Sequence, residues 1–113
     1  MIEISKESLA PRLFERRKIE HRKNANSHAV EVTYCVYLCG GADEYVDLEE
    51  IAGQAWLTYP QLFVTLVNGQ SIPDLSLIYM TLDLATVGVD DFVVGDWNQG
   101  WRLTTRGLRI ARD

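Results

Sequence analysis

Lysine and arginine are missing from the whole middle of this 113-residue chain, with none between Asn24 and Trp101. Seven lie from Lys6 to Lys23 and four from Arg102 to Arg112. Phosphate backbones are gripped by cations that displace counterions, so the middle segment cannot hold a nucleic acid unaided. Cysteine is scarce too. Cys35 and Cys39 are the only pair, which excludes a disulfide-rich scaffold, and their Cys-x-x-x-Cys spacing is not the redox Cys-x-x-Cys. A structural zinc site takes four ligands. His28 sits seven residues before Cys35, and His21 or a carboxylate would have to complete the set. The two thiols therefore read as small buried hydrophobes, and neither metal nor cofactor is expected.

Long apolar runs are also lacking. No stretch approaches the roughly 18 residues of a membrane span. Met1-Ile2-Glu3-Ile4 offers neither a basic n-region nor an apolar h-region. The expectation is a cytoplasmic protein without membrane contact. Catalytic motifs are absent as well: there is no Gly-x-Ser-x-Gly elbow, no phosphate-cradling glycine loop and no His-Glu-x-x-His. His21 and His28 are the only histidines, and a cysteine nucleophile beside His28 would need an exposed, electropositive setting. No enzyme and no catalytic residue is expected.

What the middle does hold is acid: Glu31, Asp43, Glu44, Asp47, Glu49, Glu50, Asp74, Asp83, Asp90, Asp91 and Asp96. The length suits one domain. Residues 1–26 read as a basic N-terminal helical arm, with six basic and two acidic residues from Arg12 to Lys23. Residues 27–113 read as the folded domain. From Ser27 to Gly40, Ala29, Val32, Val36 and Cys39 recur at helical intervals, while Val30, Val32, Tyr34, Val36 and Leu38 alternate as in a strand. Length favours the helix, with Ser27 as cap. Asp47-Leu48-Glu49-Glu50 starts a second helix in capping-box style, with Leu48, Ile51, Ala52 and Ala55 as its apolar stripe.

Thr58-Tyr59-Pro60-Gln61 predicts a further helix to Asn68-Gly69 that buries Leu62, Phe63, Leu66 and Val67. Trp56 and Tyr59, at the junction, read as core. Pro73-Asp74 opens another helix, with Leu75, Ile78, Leu82 and Ala85 in register and a stop at Gly88. Phe92-Val93-Val94 and Trp101-Arg102-Leu103 read as strands around an Asn98-Gln99-Gly100 loop, and Thr104 or Thr105 caps a last helix with Leu108 and Ile110.

The fold class expected from this order is mainly α with a small β-hairpin. Trp101-Arg102-Leu103-Thr104-Thr105-Arg106-Gly107-Leu108-Arg109-Ile110-Ala111 resembles the "R-L-T-x-x-G-x-x-x-A" ending that follows the wing in winged helix-turn-helix regulators of the MarR-like and PadR-like kind. Leu82-Asp83-Leu84-Ala85-Thr86-Val87-Gly88-Val89 is similar to that family's close of the recognition helix, and Asp47-Leu48-Glu49-Glu50-Ile51-Ala52 to the start of its preceding helix. The resemblance covers about residues 28–113. It implies a DNA-binding transcriptional regulator acting as a homodimer.

On that reading Arg12, Arg16, Arg17, Arg22 and Lys23 of the arm and Arg102 and Arg106 of the wing would grip the DNA backbone, with Lys18 beside them. Ser76, Tyr79, Asn98 and Gln99 would supply polar contacts. Two departures stand against it: the extra Thr58–Asn68 helix, and a recognition helix without a cation, where Asp83 would repel phosphate. The alternative is a protein-interaction module, even a DNA mimic, that takes a basic protein partner through its acidic surface. Glu49 and Glu50 would then be contacts, with Trp97 and Trp101 as aromatic anchors.

Overall fold

Side-chain caps start three of the four described helices. The computed structural model describes residues 28–86 and 91–113, so the basic arm, the Ser27 cap and the Gly88 stop lie outside the described residues. Helix α1 spans Ala29–Leu38. It buries Ala29, Val32, Thr33, Cys35 and Val36, and the Thr33 hydroxyl donates back to the Ala29 carbonyl at 2.7 Å. The helical alternative for this segment is the one adopted. Helix α2, Leu48–Thr58, starts where Asp47 Oδ1 accepts from the Glu50 N–H at 2.9 Å, a cap worth about 1 kcal/mol.

The expected helix from Thr58 to Asn68 does not form. Tyr59 precedes Pro60, and the proline ring disfavours helical backbone there; Tyr59 sits at φ −131°, ψ 68°, and α2 ends at Thr58. The chain then builds a hairpin from β1, Val64–Val67, and β2, Gln70–Pro73, in the register Val64 to Pro73 and Val67 to Gln70. Asn68 at φ 51° and Gly69 at φ 79° both adopt the left-handed backbone that a tight type I′ hairpin turn demands. Leu66 and Val67, expected to be buried, are exposed, whereas Phe63 is in the core.

Asp74 opens helix α3, Leu75–Leu84, accepting from the Leu77 N–H at 3.1 Å. The buried face is Leu77, Ile78, Thr81 and Leu82, with Ala85 beyond the end; Leu75, expected in that stripe, is 46% exposed. Strands β3, Val93–Asp96, and β4, Gly100–Leu103, form a second antiparallel hairpin close to the expected bounds. Thr104 caps helix α4, Thr105–Arg112. Its hydroxyl oxygen accepts from the Gly107 N–H at 3.0 Å and its proton goes to the Asp91 carbonyl at 2.6 Å, tying α4 to the start of β3.

Among the described residues the result is an α+β domain of four helices and two antiparallel hairpins. Helix α1 is its centre and packs against α2, α3, α4 and β4. Val32, Cys35, Val36, Ile51, Ile78, Leu82, Phe63 and Trp101 make the innermost layer. Val46, alone outside any strand, pairs with Trp101 through two 2.8 Å backbone hydrogen bonds. No described helix is long and apolar enough to cross a membrane.

Gly100 makes that pairing possible. Its φ is 89°, and a Cβ there would sit 2.5 Å from the Val46 carbonyl oxygen. Gly40 also has a left-handed φ of 91°, yet nothing lies within 4 Å of its would-be Cβ. Backbone strain alone costs an L-residue about 1–2 kcal/mol. Urea unfolding should therefore show Gly40→Ala losing about 1 kcal/mol and Gly100→Ala at least about 2–3 kcal/mol. Equal losses would mean that the Val46 contact is not made.

Candidate functional site

The exposed side of α3 and the tip of the β3–β4 hairpin, the expected wing, form one aromatic surface. Tyr79 stands edge-on to Trp97, with ring centroids 5.6 Å apart and planes at 85°, and edge-on to Trp101 at 6.0 Å and 73°. Such pairs contribute about 0.5–1.5 kcal/mol each beyond burial. Tyr79 is 38% exposed and Trp97 63%, while Trp101 is only 2% exposed. Trp101 is thus a core residue and is not available as the partner anchor expected of it. Nor does it face Trp97 across the ribbon: its cross-strand neighbour is Gly95, and Tyr79 bridges the two indoles.

The wing tip is held by Asp96. Its Oδ1 accepts from the backbone N–H of Asn98 at 2.9 Å and of Gln99 at 3.0 Å. Both side chains are exposed beside Trp97. On α3, Leu75, Ser76, Tyr79 and Asp83 lie on the solvent side. Helical spacing lines up Leu75, Tyr79 and Asp83 at four-residue steps. The surface is therefore aromatic and apolar at its centre, amide at its tip, and carries Asp83 and Asp96.

Arg102 and Arg106, the described members of the expected DNA-binding cations, do not join it. Strand residues alternate sides, so Arg102 points away from the Trp101 side on which α3 packs. Its guanidinium lies 5.5 Å over the Tyr45 ring and donates to the Ala42 carbonyl at 3.5 Å. Arg106, on α4, lies 5.6 Å over the Phe92 ring. Arg12, Arg16, Arg17, Arg22 and Lys23 are outside the described residues. Glu49 and Glu50 are exposed in the first turn of α2, where carboxylates also complement the helix dipole. Trp56, expected in the core, is 38% exposed.

Sequence reasoning named Tyr79 and Trp97 separately and missed that Tyr79 joins the wing to α3. The available signal was a solvent-side tyrosine in the helix preceding a hairpin flanked by two tryptophans.

The cysteines are placed for packing. Cys35 is fully buried in α1, and its thiol is pushed up to about 12, first by burial and then by Cys39 and Glu31. Burial, with Glu50 and Asp47, raises the Cys39 thiol as well, and its Sγ donates weakly to the Glu50 carbonyl at 3.5 Å. Nucleophilic thiolates form in the opposite kind of setting. Among the described residues no three His, Cys, Asp or Glu side chains converge on a metal position.

A thiol whose pKa is raised in the folded state stabilises the fold fully below the unfolded pKa. That stability is lost as pH climbs from the ordinary value of 9.0 toward about 12. Between those values the urea midpoint of the natural chain should fall more steeply than that of Cys35→Ala, even though the variant starts lower. Parallel curves would mean that Cys35 is exposed to solvent.

Compared with known proteins, the chain matches no family model, no curated sequence and no solved structure.

Proposed function

We propose that residues 27–113 form a winged-helix-type, non-catalytic domain whose α3–wing surface binds another protein. The observation that carries this is the aromatic face built from Tyr79 and Trp97, with Leu75 on the same side of α3 and no cation among the described residues joining it. Tyrosine and tryptophan are the side chains that most often anchor protein interfaces, because each offers a large rigid surface with a polar handle. Duplex DNA would meet Asp83 and Asp96 here with no arginine or lysine among the described residues to offset them. A protein partner with an apolar centre and a basic rim would instead find both of its halves matched. Helices α1, α2 and α3 followed by the β3–β4 hairpin and α4 support the winged-helix part of the reading, with the β1–β2 hairpin as an insertion between α2 and α3.

A second reading, a DNA-binding regulator in a homodimer, is favoured by the clustering of all eleven lysines and arginines at the two ends of the chain. It routes DNA contact through Arg12, Arg16, Arg17, Arg22 and Lys23, with Arg102 and Arg106.

One pair of titrations separates the two. Against a mixed duplex at about 50 mM salt, where electrostatic binding is strongest, micromolar protein is expected to give no shift. Selection from a random peptide library is expected to return sequences rich in lysine, arginine and aromatic residues. Their affinity should fall at least about tenfold in Trp97→Ala and little in Trp56→Ala. Duplex retention that Arg16→Ala/Arg17→Ala abolishes, with a flatter salt slope, would overturn the protein reading in favour of the regulator.

A further inference from the structure

The β1–β2 hairpin has no partner within the described chain that accounts for its composition. From Ile51 to Pro73 the sequence holds no charged residue at all. In this segment Leu57 is 76% exposed, Leu66 71%, Val67 46% and Ile72 39%. All of β2 and the outer half of β1 face solvent. A lone two-stranded hairpin is marginal in water, and exposed edge strands are normally guarded by charge, proline or a bulge. Strand β2 packs against α2 and ends in Pro73, which has no N–H to offer. Strand β1 has none of these guards.

The register fixes what β1 presents. With a two-residue turn, Val67–Gln70 and Thr65–Ile72 are the hydrogen-bonded pairs inside the hairpin. Val64 and Leu66 therefore direct their N–H and C=O groups outward.

We propose that β1 is a homodimerisation edge, on which a second copy of this chain pairs its own β1 antiparallel about a twofold axis to make one four-stranded sheet. With Thr65 on the axis, Leu66 of each copy lies opposite Val64 of the other, so the outward groups of both strands are satisfied together. Val64 and Leu66 share one face of the strand, and the dimer joins the two copies' ridges into a continuous apolar strip.

Charge selects the occupant. The full chain carries sixteen carboxylate side chains against eleven lysines and arginines, a net charge of −5. The described residues hold eleven of those carboxylates and only four of the cations, so the described bodies of two copies repel. The segment from Ile51 to Pro73 is where they can approach without like charges meeting. A basic partner, by contrast, gains nothing from a neutral edge.

The test is the mass of the full chain by sedimentation and light scattering, from micromolar to about 100 µM, the range in which interfaces of modest size associate. A dimer is expected, and it should tighten as salt screens the repulsion, opposite to the salt response of DNA binding. Leu66→Pro removes an outward N–H without touching the hairpin's own bonds, and Leu66→Lys sets like charges across the axis. Each should weaken dimerisation at least tenfold with an unchanged circular dichroism spectrum, while Val94→Lys on the wing leaves it intact. Independently of any loss of folding, Thr65→Cys should form a covalent dimer with oxidised glutathione and Gln70→Cys should not, because only residues on the axis come within disulfide reach. A natural chain that is monomeric at about 100 µM overturns the proposal. So does a dimer that ignores both Leu66 substitutions, or Thr65→Cys that stays uncrosslinked.

Discussion

Two backbone hydrogen bonds between Val46 and Trp101, each 2.8 Å, are the constraint on which the rest of this domain depends. They fasten β4, close to the turn of its hairpin, to the segment leading into α2, and they put the Trp101 indole into the core, where α1 and β4 also pack. Removing a buried side chain of that size costs about 3–5 kcal/mol. Gly100 allows the approach, and the Leu103 N–H extends the pairing by donating to the Gly41 carbonyl at 2.8 Å. Because Trp101 is fixed, Tyr79 has a rigid ring to pack against, and Trp97 is then held at the surface by Tyr79. The candidate site is thus an outward continuation of the core.

Charge and apolarity are divided with equal sharpness. The described body is acidic, and Arg102 and Arg106 lie over aromatic rings, apart from the α3–wing surface. Two surfaces break the pattern: the aromatic face of α3 and the wing, and the neutral β1–β2 hairpin. An acidic protein repels its own copies and nucleic acid wherever its field is uncompensated. Its contacts are then confined to places where apolar area outweighs that field. This is the physical basis for assigning partner binding to one of these surfaces and self-association to the other.

Much of the domain could be read from residues with a single dominant reason. Asp47, Asp74 and Thr104 cap helices wherever they precede an apolar stripe, and all three do so here. The β3–β4 hairpin followed from Gly100 and the strand-forming residues around it. The Thr58–Asn68 segment was misread because Thr58 and Pro60 imitate a helix start. The restriction that Pro60 places on Tyr59, and the hairpin preference of Asn68-Gly69 between Val67 and Gln70, prevailed. Periodicity counted Leu75 as buried, and Trp101 was expected beside Trp97 as a partner anchor; only the register, which pairs Trp101 with Gly95, and the packing of α3 decide those points. The aromatic face was legible as residues but not as a surface, since its assembly depends on contacts between Tyr79 and a hairpin some twenty residues away.

The β3–β4 hairpin is an extension of the core, not a loosely attached ribbon. Native-state amide hydrogen exchange tests this most directly. The Val46 and Trp101 amides are expected to exchange only through global unfolding, with the same protection as Val32 and Val36 at the centre of α1. Exchange at Val46 and Trp101 as fast as at the exposed tip residues Asn98 and Gln99 would contradict the account, and with it the rigid aromatic surface that the wing and α3 are held to form.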